Sequence, residues 1–143
     1  MRQGILDVRW LGRLEKIGES PTVILDGAQN AESAKKLIAG VKRHFHYEKL
    51  FLVLGVSSDK DLDGILSELM PETHCLIATQ SKSPRALSAP LIAEHAKEFG
   101  KEALVELSAL SAAQKAKSLA GANDLILVTG SLFLVGEIKA KDA

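Results

Sequence analysis

The sequence predicts an α/β fold: a three-layer αβα sandwich built around a mostly parallel sheet. Three observations predict it. Four short apolar runs recur along the chain, and each is continuous rather than alternating, as in strands buried on both faces. Stripes of apolar residues at helical spacing lie between the runs. Each run stops at a polar turn, most of them marked by glycine. Strands that alternate with helices imply parallel pairing through right-handed crossovers, with helices on both faces of the sheet.

The elements follow in order. Residues 1–21 hold the single tryptophan, Trp10, several charges and a Gly18-Glu19-Ser20-Pro21 turn. They read as a lead-in or hinge segment, in part a short hairpin, and residues 22–143 read as one domain. Thr22–Leu25 is the first strand of the run. Asn30 caps a helix whose buried stripe is Ala34, Leu37, Ile38, Val41 and Phe45. Leu50–Leu54 is the next strand, and Leu62, Ile65, Leu66 and Leu69 form a second helix stopped by Pro71. Cys75–Thr79 is a strand. Ser88 caps a third helix, with Pro90 in its first turn and Gly100 beyond its end. Ala103–Leu107 is a weaker strand suited to a sheet edge. Ser111 opens an alanine-rich helix that stops near Gly121, Leu125–Thr129 is the last strand, and Leu132–Lys139 is a final short helix.

Composition narrows the function. The chain has 143 residues, the size of one domain with a sizeable core, and 46% of them are hydrophobic. Its 18 basic and 18 acidic residues balance, which argues against a general nucleic-acid or membrane-surface binder. Aromatic residues make up only 4%, too few for a base-stacking platform. The lone cysteine, Cys75, lies in an apolar run and has no partner for an internal disulfide. No apolar stretch approaches membrane-span length and no secretory signal is visible, so a cytoplasmic protein is expected.

Every polar cluster of interest follows a strand. Asp26-Gly27-Ala28-Gln29-Asn30 follows the first, and Gly55-Val56-Ser57-Ser58-Asp59-Lys60-Asp61 the second. Gln80 through Ala86, including Lys82 and Arg85, follows the third, and Thr129-Gly130-Ser131 leads straight into a helix. In parallel sheets such loops share one edge, where ligands sit. Lysines, arginines, hydroxyls and a helix N-terminus gathered there suit phosphates and carboxylates. A carboxylate at position 26 suits a sugar hydroxyl, and Arg13 upstream suits a phosphate. The spacing equally allows Asp26 to cap the next helix. No P-loop, no G-x-G-x-x-G and no G-x-S-x-G elbow is present. The four histidines show no metal-ligand spacing, and no metal site is expected.

Five phrases, in order and at matching intervals from Trp10 to the end, resemble one family. They are Trp10-Leu11-Gly12-Arg13-Leu14-Glu15, Leu25-Asp26-Gly27-Ala28-Gln29-Asn30-Ala31, and Gly55-Val56-Ser57-Ser58-Asp59-Lys60-Asp61. Ser83-Pro84-Arg85-Ala86 and Thr129-Gly130-Ser131-Leu132-Phe133-Leu134-Val135-Gly136-Glu137 complete the set. Together they resemble the C-terminal domain of folylpolyglutamate synthase and dihydrofolate synthase, within the Mur ligase superfamily. The resemblance implies a Rossmann-like fold of the Mur ligase C-terminal domain type. It implies an ATP-dependent amide ligase that adds glutamate to a folate through an acyl phosphate. ATP and magnesium are then held mainly by a central P-loop domain, the partner of this one, which the chain lacks. It further implies nucleotide contacts from Arg13 and Asp26, and makes Lys60, Arg85 and Ser131 candidates for binding glutamate or another anion.

Two departures stand out. The family has histidine where this chain has Gln29, and proline where it has Ala31. An imidazole can carry charge or a proton and an amide cannot, so the catalytic role expected at position 29 is in question. The chain looks like one domain of an enzyme roughly three-fold longer and is expected to be inactive alone. Two alternatives remain open at this stage: a free-standing, non-catalytic binding module derived from the same fold, and a domain of another Mur-type ligase.

Overall fold

The structure is a computed structural model that describes residues 14–142, so Trp10 and Arg13 lie outside the described residues. Six strands form one sheet: β1 (Glu15–Gly18), β2 (Thr22–Leu25), β3 (Leu50–Leu54), β4 (Cys75–Ala78), β5 (Glu102–Val105) and β6 (Leu125–Thr129). Five α-helices accompany them: α1 (Ala31–His44), α2 (Leu62–Leu69), α3 (Ala89–Ala96), α4 (Ala109–Leu119) and α5 (Leu132–Asp142). Short 3-10 turns at Met70–Glu72 and Lys97–Phe99 extend α2 and α3.

The strands lie in the order β1-β2-β6-β3-β4-β5, and β2 to β5 along that list are parallel. This is the expected αβα sandwich. Right-handed crossovers dictate which face each helix takes. The connections β2→β3, β3→β4 and β4→β5 all move one way across the sheet, and α1, α2 and α3 share one face. The connection β5→β6 turns back, so α4 lies on the other face, and α5 follows it there. The core divides accordingly. Ile24, Leu52, Leu54, Leu76 and Leu127 pack under α1 to α3, while Val23, Phe51, Val53, Ile77 and Val128 pack under α4 and α5. Consecutive strand residues thus serve opposite faces.

Most elements fall where the apolar pattern placed them, and the differences have physical causes. Thr79 ends the third predicted strand just beyond β4, and the weak fifth strand is Glu102–Val105, at an edge as expected. Asn30 does cap α1: its side chain accepts from Ser33 N–H, and the Ser33 hydroxyl accepts from Asn30 N–H in return. Ser88 precedes α3 but makes no capping bond; Gln80 Oε1 accepts the Ala89 N–H at 2.8 Å instead. The cap of α4 is Ser108, three residues before the expected Ser111. The last helix runs to Asp142. The division drawn at residue 21 cuts through a hairpin, since β1 pairs antiparallel with β2, Glu15 opposite Leu25. From Glu15 onward the lead-in is therefore an edge strand of the same sheet. Among the described residues, no helix is long and apolar enough to cross a membrane.

Candidate functional site

β6 lies between β2 and β3, and its following helix takes the face opposite to theirs. The loops on either side of the β6 end therefore part to opposite faces and leave crevices, the usual place for ligands in such sheets. Asp26, Gly55, Thr79 and Thr129 all sit at this carboxyl edge, at or just past the ends of β2, β3, β4 and β6.

The edge is tightly joined. Gly55 N–H donates to the Thr129 carbonyl at 3.3 Å, and Thr79 N–H to the Leu54 carbonyl at 2.9 Å. Gly130 has φ of +109°, and a Cβ there would fall on the Gly55 carbonyl oxygen, so only glycine fits. The hydroxyls of Thr79 and Thr129 are fully buried and have no hydrogen-bond partner in the structure.

A cleft of about 580 Å³ opens on the α1 side, lined by Asp26, Gln29, Lys36 and Lys60 together with Leu14, Glu32 and Ser33 among others. It brings together three of the residues singled out from the sequence: Asp26, Gln29 and Lys60. Asp26 is 5% exposed. Its Oδ1 accepts the Ala28 N–H and its Oδ2 the Leu14 N–H, both at 2.9 Å. It is thus not the cap of α1, which Asn30 provides. Gln29 is half-buried, and its backbone N–H donates to the Ser33 hydroxyl at 3.1 Å.

The three residues of the Asp59-Lys60-Asp61 phrase have three separate jobs. Asp59 Oδ2 accepts from Arg85 Nη2 at 2.6 Å. Lys60 lines the cleft. Asp61 caps α2 by accepting the Gly64 N–H at 3.1 Å. Arg85 does not line the cleft. Its carbonyl accepts Ser58 N–H, and a Ser57–Ala86 bridge zips the β3–α2 loop to the β4–α3 loop. Ser131 is buried and does not line the cleft either; its Oγ accepts Phe133 N–H at 3.1 Å and so opens α5. Glu137 on α5 accepts Lys82 N–H at 2.7 Å and holds the β4–α3 loop to that helix.

The sequence reading passed over Lys36. Positions 29, 32, 33, 36 and 37 all line the cleft, a helical stripe that α1's spacing would have revealed. His95 on α3 meets Asp63 of α2 at 3.0 Å. That hydrogen bond raises its pKa above the ordinary 6.5. Cys75 is no nucleophile: burial, with Glu102 nearby, pushes its thiol up to about 11, so it stays protonated. Among the described residues no group of three or more His, Cys, Asp or Glu is placed to hold a metal ion. A magnesium ion, which needs several oxygen ligands, therefore does not fit the described residues taken alone.

Known proteins share the fold. The sequence matches the Mur ligase, glutamate ligase domain family over residues 12–132. It is 32% identical to the folylpolyglutamate synthase of Lacticaseibacillus casei, across 97% of this chain and 31% of that protein. The folylpolyglutamate synthase of Mycobacterium tuberculosis, solved with ADP and AMPPCP, superposes with a TM-score of 0.87 at 33% identity. That match covers 92% of this chain and 32% of the other. A bifunctional folylpolyglutamate synthase/dihydrofolate synthase with Mn, AMPPNP and L-glutamate bound superposes at 0.83 and 29% identity, covering 92% of this chain and 31% of that one. The chain spans about a third or less of the length of the curated relatives it matches. With 121 consecutive positions matched, from residue 12 to residue 132, and the αβα sheet superposed on solved synthases, the chain belongs to the Mur ligase family as its glutamate ligase domain.

Proposed function

We propose that this domain works within an ATP-dependent carboxylate–amine ligase that adds glutamate to a folate, and that it is inactive without the domain that carries the P-loop. The observation that carries the reading is the cleft at the carboxyl edge, where Asp26, Gln29 and Lys60 converge beside the N-terminus of α1. A lysine and a helix N-terminus there suit an anionic ligand. In this reading Arg13 and Asp26 serve the nucleotide, and Lys60, Arg85 and Ser131 serve glutamate or the acyl phosphate. ATP and its divalent metal are held chiefly by the other domain. Leu132 and Phe133, 56% and 62% exposed on the first turn of α5, offer apolar contact to that domain at the same edge.

The test is ATP-dependent addition of glutamate to a folate. The whole ligase turns over, and the 143-residue chain alone gives background. Robust turnover by the chain alone refutes the division of labour. Nucleotide binding to the chain alone is expected no tighter than about millimolar, because a few charge-assisted hydrogen bonds barely offset the cost of association. In the whole ligase, Gln29→His is expected to leave kcat unchanged or raise it. A cationic imidazole facing the transferring phosphate stabilises developing charge, an effect of up to ~10²-fold or more. Loss of turnover in a folded Gln29→His variant gives the glutamine a role of its own.

A further inference from the structure

Gly64 stands in the first turn of α2, where the helix gains nothing from it: after proline, glycine is the poorest helix former. Its surroundings supply the reason. A Cβ at this position would fall on the Asp61 carboxylate, with Asp61 Cγ at 2.9 Å, and would stand 3.1 Å from the Ala31 Cβ on α1. Two contacts therefore need a bare Cα at position 64. One is the cap of α2, in which Asp61 Oδ1 accepts the Gly64 N–H at 3.1 Å. The other is the close approach of α1, whose first residue is Ala31, to the first turn of α2. Lys60 is bound into this joint through its backbone. Its N–H donates to the Ser57 carbonyl at 3.1 Å. Asp59 before it pairs with Arg85, and Asp61 after it caps α2 and accepts the Ile65 N–H on its carbonyl at 3.1 Å. Among the described residues no ion pair holds the Lys60 side chain, which lines the cleft.

We propose that Gly64 is a positioning residue: by leaving room for the Asp61 cap beside Ala31, it fixes the backbone from which Lys60 reaches the cleft. The proposal rests on the ligase reading, in which Lys60 serves glutamate or the acyl phosphate. Any side chain at position 64 must displace either the Asp61 carboxylate or α1. The carboxylate is the free end of a side chain, whereas Ala31 is set in a helix that Asn30 and Ser33 cap reciprocally. The cap therefore gives way first, and with it the anchor on the C-terminal side of Lys60. A lysine side chain is long and flexible, so its backbone is what confines the ammonium. An ammonium that must meet an anion at one point acts through that confinement. Gly64 thus bears on the ligand through Asp61 and Lys60 and touches neither substrate.

The first arm of the test is NMR relaxation in the 143-residue chain, comparing wild type with Gly64→Ala. The order parameter of the Lys60 amide is expected to fall from the rigid-backbone value of about 0.85 to below about 0.6, while Leu127 in the sheet centre keeps its own. A Lys60 amide already mobile in wild type, or unmoved in the variant, overturns the proposal. Should Gly64→Ala fail to fold, Asp61→Ala removes the same cap without adding bulk at position 64 and gives the same comparison. The second arm is kcat/KM for glutamate in the full-length protein that carries this sequence, in a cycle of Gly64→Ala and Lys60→Ala. Positioning predicts that Gly64→Ala lowers kcat/KM about fivefold or more in wild type but adds less than about twofold once Lys60 is gone. Adding Asp61→Ser to Gly64→Ala should restore most of the loss, because a short hydroxyl caps α2 and clears the new Cβ. Additive losses, no loss from Gly64→Ala, or no recovery with Asp61→Ser overturn the proposal. An active enzyme in which Lys60→Ala costs nothing overturns the reading of Lys60 as a ligand residue, and with it the catalytic half of the proposal; the relaxation arm still decides whether Gly64 holds the joint.

Discussion

At the ends of β2 and β6, Asp26 and Ser131 turn inward and bond to backbone; across the β3 and β4 loops, Asp59 and Arg85 turn outward and bond to each other. Asp26 and Ser131, each 5% exposed, satisfy main-chain N–H groups. Arg85 and Asp59 pair at the surface with side chains 67% and 46% exposed. The contrast separates two kinds of residue that look alike in sequence. A charged group turned inward holds the loop in place, and its removal leaves buried amides without partners. One turned outward costs the fold little and stays available to a ligand.

Four changes put that contrast at risk, in descending order of expected effect. Gly130→Ala forces a Cβ into the Gly55 carbonyl at a positive φ and should destabilise the chain by about 3 kcal/mol or more, read as the shift in urea midpoint. Asp26→Ala strips acceptors from two amides and should lose about 2–4 kcal/mol by the same measurement. A loss below about 0.5 kcal/mol would mean that the inward carboxylate does not hold its loop. Arg85→Ala should change stability by no more than about 0.5 kcal/mol, as exposed pairs do. In the whole ligase it should raise KM for glutamate if Arg85 meets that substrate. A large loss of stability would show that the Asp59–Arg85 pair, and not the Ser57–Ala86 bridge, joins the two loops.

The smallest effect belongs to the His95–Asp63 pair, also on the surface, between α3 and α2. The folded pKa of His95 is raised, chiefly by its hydrogen bond to Asp63. Its contribution to stability is therefore fully present below the ordinary 6.5 and is lost as pH rises through the raised value. Asp63→Asn should return the histidine's NMR titration toward 6.5 and flatten that pH dependence. A titration that does not move on Asp63→Asn shows the pair to be unformed in solution.

The four central strands were legible because Thr22–Leu25, Leu50–Leu54, Cys75–Ala78 and Leu125–Thr129 are continuous apolar runs with water on neither face. β1 was legible only through the Gly18–Pro21 turn, as part of a short hairpin; Glu15-Lys16-Ile17-Gly18 carries no apolar run that would show its pairing with β2. The place of β6 between β2 and β3 is a tertiary outcome that no local pattern encodes. Ser108 and Ser111 stand three apart at the start of an alanine-rich stretch, so either satisfies the capping rule. The structure selects Ser108, whose Oγ accepts the Ser111 N–H at 3.1 Å. In the site, strand-end position alone located Asp26, Gln29 and Lys60 correctly at one edge. It did not reveal that Asp26 turns back to hold Leu14, because that bond joins residues twelve apart through a left-handed turn.

The hairpin made by β1 has a consequence for anyone cutting this protein. β2 is apolar and buried on both faces, and β1 occupies its outer row of N–H and C=O groups. A piece begun at Thr22, where the sequence alone draws the domain boundary, bares that row along Val23, Ile24 and Leu25. A flat apolar edge of this kind templates pairing with other chains. Such a fragment should come out of the cell as aggregate, while one begun before Glu15 stays dispersed, though neither cut removes a residue of the other five strands, β2 to β6.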